Sequence, residues 1–229
     1  MNTNPGFSLI ERDNLGDIAY ARIADALIGG RFAPGARITI RELAVSLGTS
    51  VTPVRDAILR LIQDEALIQR SPRDIRVPVL TPERYREIRA IRVKLEGLAA
   101  RESALKAGAE DVERLRDLIA RNEAAIAAGN WLEAIDLNQT FHFALAGIAN
   151  MTVLRGILYR LWLQMGPMIA DSYAAGGRVM IDNHYLVLKA IEIRDPDAAE
   201  RAIGSDIMEA GTLILERFTG TRDRAGEKS

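Results

Sequence analysis

The chain has two histidines and no cysteine, so metal or proton chemistry has to be built around His142 and His184. His142 follows Asn138 by four residues in the run Asn-Gln-Thr-Phe-His. That spacing stacks the two side chains on one helix face and turns Phe141 away from them. His184 and Asp206 each lie eleven residues from Asp195, which opens an Asp-Pro turn. In an antiparallel helical hairpin, equal distance from the turn brings two positions level, about 16 Å from the bend at a rise of about 1.5 Å per residue. If the helix carrying Asn138 and His142 packs on that hairpin, two imidazoles, one carboxylate and one amide converge. Such donors suit a divalent ion such as zinc, nickel or manganese. The same side chains are also a set of polar groups able to hold an organic ligand directly, or to satisfy one another inside a core.

Positioning these residues requires helices, and the chain beyond residue 80 reads as helical throughout. It is rich in alanine and lacks strand-like alternation, and its apolar segments fall at 82–106, 110–128, 131–148, 151–174, 178–194 and 196–219. Breaks stand at Gly108, Gly129-Asn130, Asn150, Gly176-Gly177 and Asp195-Pro196. The expectation for residues 80–229 is an antiparallel all-α bundle of about six helices. Arg92, in the first of them, is a candidate anchor for an effector carboxylate, which a guanidinium can grip with two hydrogen bonds. Glu96, one turn on, offers it an ion pair instead. Tyr159, Trp162 and Met165 form a bulky cluster whose spacing is that of core residues.

A different pattern occupies residues 14–79. A helix over residues 15–29 supplies Ile18, Ile23, Ala26 and Leu27 for packing. Thr39 is placed to cap a second helix, with Glu42 closing a capping box and Ile40, Leu43, Ala44 and Leu47 on its apolar face. Gly48 ends it. Thr52 and Pro53 read as the start of a third helix with a buried stripe of Val54, Ala57, Ile58, Leu61 and Ile62. Ser50, Thr52 and Arg55 are left at its exposed N-terminal end, where a helix-turn-helix meets bases and phosphates. Residues 67–70 and 75–77, joined by Ser71-Pro72-Arg73-Asp74, read as a β-hairpin wing that brings Arg70, Arg73 and Arg76 near the same face as Arg41. The fold class is therefore mainly α, a winged helix-turn-helix followed by a helical bundle. Two prolines in residues 77–82 mark the boundary, and residues 1–13 are expected to form a mobile arm.

Composition frames this reading. At 229 residues the chain is long enough for two domains with packed cores, and 48% hydrophobic content is that of a globular protein. Without cysteine there is no disulfide or thiolate chemistry, and the first residues lack an apolar run fit for a signal peptide or membrane span; a cytoplasmic location is expected. The net charge of −1 conceals an uneven distribution. Residues 31–76 hold 8 Arg against 5 acidic residues, while residues 81–229 hold 20 basic against 22 acidic. An excess this modest favours a dimer presenting two basic faces to DNA.

These features resemble the GntR family of transcriptional regulators, specifically the FadR subgroup with an FCD-type helical domain. The resemblance rests on residues 40–61, the Ile-Arg-Val-Lys-Leu-Glu of 91–96, Phe141-His142, and the Asn-His-Tyr-Leu-Val-Leu-Lys-Ala-Ile of 183–191. It implies a homodimer on a palindromic operator, released or re-gripped when a small organic acid enters the helical domain, with no organic cofactor. It places DNA contacts at Arg41, Val51, Thr52 and Arg55, beside the Ser50 and Arg73 read above. The family has Arg at the position of Val51 and Gly at a wing-tip position aligned with Asp74. A lost guanine-reading guanidinium removes about 1–3 kcal/mol of discrimination, so a divergent operator is expected. The family's metal set is one Asp and three His, falling here on Asn138, His142, His184 and Asp206. An amide thus replaces the carboxylate and a carboxylate replaces one imidazole, a swap that favours harder ions. Effector contacts are expected from Arg92, Asn138, His142 and His184.

The rival reading is a metal-dependent helical enzyme carrying a nucleic-acid module, since two His and one carboxylate resemble catalytic zinc ligation. Against it, the neighbouring sequence offers no spare Glu or His as general base.

Overall fold

Residues 15–226 are described by the computed structural model, with side chains through residue 217; the expected arm at 1–13 lies outside the described residues. Helix α1 (Leu15–Ile28) buries Ala19, Ile23, Ala24, Leu27 and Ile28, with Ile18 facing solvent. Strand β1 (Arg37–Ile38) precedes α2 (Ile40–Ser46) and α3 (Val51–Gln63). Gly48, at φ +63°, takes the left-handed turn between the two helices that a side chain would oppose. The wing is β2 (Ile68–Ser71) and β3 (Asp74–Arg76), with Pro72-Arg73 at its tip.

Three details differ from the sequence expectation. β1 joins the wing to make an antiparallel sheet of order β1-β3-β2, with Arg37 opposite Arg76 and Ile38 opposite Ile75. A two-residue strand has no period to read, so the sequence pattern does not reveal it. Helix α3 begins at Val51 with Ser50 in the cap position, so Pro53 is its third residue. Proline costs little there because first-turn N–H groups have no intrahelical acceptor. Neither Thr39 nor Ser50 makes a side-chain cap bond, so the capping box expected from Thr39 and Glu42 does not form.

The remaining described residues are helical: α4 (Pro82–Lys106), α5 (Ala109–Ala127), α6 (Trp131–Ile148), α7 (Thr152–Gly176), α8 (Asp182–Glu192) and α9 (Pro196–Gly226), with a 3-10 turn at Gly177–Met180. Thr81 caps α4, accepting from the Arg84 N–H at 3.2 Å, and Asp195 caps α9, accepting from the Ala198 N–H at 2.9 Å. The 3-10 turn takes residues that periodicity assigned to the fifth bundle helix, and α9 runs past residue 219. α4 packs along α9, α5 along α6, and α8 along α9.

The N-terminal elements are not joined to the bundle by residues 77–82 alone. α1 lies directly on α7, and a Cβ placed on Gly166 would sit 2.6 Å from the Cα of Ile28. Pro167 follows inside the same helix and removes the backbone bond to the carbonyl four residues earlier. Arg31 pairs with Asp136 of α6 at 3.1 Å, and Arg84 of α4 donates to Gln164 of α7 at 3.3 Å.

Candidate metal centre and nucleic-acid interface

The α8–α9 hairpin brings His184 and Asp206 level, with His184 Nε2 3.5 Å from Asp206 Oδ1. α6 crosses this pair and places His142 Nε2 3.5 Å from Asp206 Oδ2. Asn138, one turn before His142, is buried and lines the same cavity. The cavity measures about 20 Å³, and its wall also includes Tyr85, Arg92, Trp162, Met165 and Ile169. That volume holds one water or one ion and no organic molecule. Phe141 does not turn away from the centre: its ring stacks on His184 at 4.0 Å between centroids and 17° between planes. A shared helix face was the wrong guide for Phe141, because α8 packs across the adjoining side of α6.

Glu96 is the residue that sequence reasoning missed here. It is 1% exposed, and its Oε1 accepts from Arg92 Nε at 2.6 Å and from the Trp162 indole N–H at 3.2 Å. Its Oε2 is 2.6 Å from His142 Nδ1. Burial alone would raise its pKa, but the Arg92 guanidinium and the His142 ring outweigh it and hold the group at about 2. An ionised carboxylate only accepts, so His142 donates from Nδ1 and turns Nε2 toward Asp206. The signal was present in the four-residue step from Arg92 to Glu96, but sequence could not say that this pair would be buried. Arg92 also stacks on Trp162, its guanidinium carbon 4.3 Å from the ring centroid. It therefore forms the ion pair and lines the cavity at once. Tyr159 faces a separate groove between α6 and α7.

The donor set fits a divalent cation. One ligand atom from each of His142, His184 and Asp206 lies within 4.8 Å of the others. Tetrahedral bonds of about 2.1 Å separate ligand atoms by about 3.4 Å, close to the two contacts at Asp206. Both ring nitrogens of His184 and Oδ1 of Asp206 are buried without a hydrogen-bond partner among the described residues, a costly arrangement unless a cation or proton bridges them. Burial pushes the His184 imidazole below its usual pKa despite Asp206, leaving it neutral and able to ligate.

On the N-terminal half, Arg37, Arg41, Arg55 and Arg73 surround one cleft of about 690 Å³, with Val51, Thr39 and Pro72 also in its wall. Ser50 and Thr52 are exposed at the start of α3 but do not line the cleft. Arg37, contributed by β1, is an addition to the sequence-based set, and its guanidinium donates to the Arg73 carbonyl at 2.8 Å. Arg76 is held in place, donating to Asp74 at 2.8 Å and to the Gly35 carbonyl at 3.3 Å. Asp74 belongs to β3 and not to the wing tip. Basic side chains thus meet two helix N-termini whose N–H groups are not spent on side-chain caps, a combination that suits phosphate.

Residues 15–77 match the bacterial regulatory proteins of the gntR family, and residues 87–208 match the FCD domain. The chain belongs to this family. It is 31% identical over 190 residues to the HTH-type transcriptional regulator McbR of Escherichia coli (strain K12), covering 81% of this chain and 86% of that protein. The solved structure of E. coli McbR/YncC superposes with a TM-score of 0.84 at 27% identity, covering 90% of this chain and 100% of that one. A probable D-xylose utilization operon transcriptional repressor of Paenarthrobacter nicotinovorans is 29% identical over 179 residues, 76% of this chain and 77% of that protein. The gntR-family chain is a DNA-binding transcriptional regulator. Its relatives are regulators and not enzymes, and on that ground the enzyme alternative falls. A potential base does stand close to the centre after all, since Glu96 is 2.6 Å from His142. No helix among the described residues is long and apolar enough to cross a membrane.

Proposed function

We propose that this regulator is a cytoplasmic homodimeric repressor of the FadR subgroup, whose grip on a palindromic operator is set by a divalent ion and a small carboxylate effector in the helical domain. Residues 14–79 read DNA and residues 80–229 sense the ligand and dimerise. The observation that carries this reading is the unpartnered His184 and Asp206 pair in a cavity walled by α7, the helix against which α1 lies. His142, His184 and Asp206 would hold the ion, with Asn138 adding an amide oxygen. The ion would supply a positive charge able to bind a carboxylate. The cavity is too small for an effector as it stands, so entry has to displace Met165, Ile169 or the Arg92 guanidinium, and each of these moves the face of α7 next to α1.

The test is elemental analysis of protein purified without chelator, alongside a His142→Ala/His184→Ala variant. The expected result is about one equivalent of zinc, nickel or manganese per chain, absent from the variant. Metal-free wild type would sink the ion and leave a second proton on His142 as the bridge to Asp206.

For the DNA face, Arg55→Ala is expected to weaken operator binding by about 1–3 kcal/mol, roughly tenfold to a hundredfold, with the melting temperature unchanged. Anisotropy titrations at matched salt read this. Equal affinity would remove Arg55 from the reading set.

A further inference from the structure

α4 carries an exposed apolar seam that the bundle does not use. Ile91, Leu98 and Leu105 recur every seven residues and are 41%, 38% and 51% exposed. A seven-residue repeat keeps one face of a helix toward a partner helix. The seam continues onto α7. The Arg84 to Gln164 hydrogen bond sets α4 and α7 antiparallel, so that seven residues further along α4 and seven back along α7 Ile91 lies level with Ile157. Leu95 is likewise level with Val153, which is 78% exposed, and Ile157 is 45% exposed. Gly156 lies beside them on α7, and a Cβ added there would meet nothing within 4 Å. A glycine inside a helix costs about 1 kcal/mol relative to alanine, and no contact within the chain repays that cost.

We infer that this α4–α7 face is where a second copy of the chain docks, with the two-fold axis passing close to Leu98. The seam is complementary to itself when reversed. About Leu98, an antiparallel α4 from a second copy sets Ile91 opposite Leu105 and Lys94 opposite Glu102, apolar on apolar and cation on anion. A two-fold interface demands this kind of match, with each residue meeting its counterpart twice. Stable dimers bury about 800 Å² per partner, more than one helix seam supplies, so the adjoining Val153, Ile157 and Leu161 of α7 belong to the same surface. The assignment rests on the dimeric regulator reading and deepens it by naming the surface.

Because the chain lacks cysteine, Leu98→Cys introduces its only thiol. After mild oxidation at micromolar concentration, this variant is expected to run as a covalent dimer on a non-reducing gel, while Val45→Cys, exposed on α2, stays a single chain. In sedimentation, Lys94→Glu is expected to weaken the dimer about tenfold, and Lys94→Glu/Glu102→Lys to restore it. A wild-type dimer that neither cross-links at residue 98 nor responds to the charge swap would overturn the assignment. So would a monomer, which would leave the face to another partner. A cross-linked dimer that fails to bind DNA would uphold the face and strike instead at the regulator reading.

Discussion

Glu96→Ala is expected to destabilise the fold by about 3–5 kcal/mol, the largest effect of any single substitution in the bundle. The removed carboxylate is the ion-pair partner of Arg92, which is 4% exposed, and it also accepts from Trp162 and His142. Truncation leaves a buried guanidinium without that counter-charge and two N–H groups without acceptors. Urea unfolding followed by circular dichroism measures the loss; a change below about 1 kcal/mol would mean that water reaches the cluster and that burial has been overread. Glu96→Gln separates shape from charge. An amide nitrogen facing His142 Nδ1 would make that nitrogen an acceptor and move the ring proton to Nε2, removing the lone pair directed at Asp206. Metal affinity is then expected to fall about 10–100-fold even in protein that stays folded.

Much of this centre is legible in the order of amino acids. Equal spacing of His184 and Asp206 about an Asp-Pro turn is a geometric statement, and a helical hairpin carries it into space with little freedom to fail. The step from Asn138 to His142 is equally local. Glu96 and Phe141 are not legible in that way, because their roles depend on which neighbours α4 and α8 bring, and no periodicity within one helix reports that. The same division holds at the DNA face. Arg41 and Arg55 follow from the helix-turn-helix pattern, whereas Arg37 rides on a strand too short to show alternation. The family's metal pattern, applied position by position, points to four residues and says nothing of the carboxylate behind them.

The route from the bundle to the DNA-reading half is the least legible feature, and it makes Gly166 the position to change. Proline-marked residues 77–82 look in sequence like the connection between the halves, but α1 rests on α7 with the Ile28 backbone against Gly166. Only a residue without a side chain permits that approach, and the neighbouring Met165 and Ile169 line the ion-sized cavity. One helix therefore faces the ligand site on one side and the DNA-reading half on the other. Gly166→Ala would set a methyl group 2.6 Å from the Ile28 Cα and 2.8 Å from its carbonyl oxygen, and neither backbone atom can swing aside as a side chain could. The expected cost is about 1–3 kcal/mol in urea unfolding, because α1 has to lift from α7. Gly156→Ala, on the same helix with nothing within 4 Å of the added carbon, is the control and is expected to hold or gain up to about 1 kcal/mol. If α7 is the transmitting element, the Gly166 variant should still bind metal and DNA separately, while operator affinity no longer changes when the metal is stripped. A variant in which stripping the metal shifts operator affinity as much as in the wild type would return the coupling to residues 77–82. Transmission through a packed helix needs that close contact, whereas transmission through a tether does not.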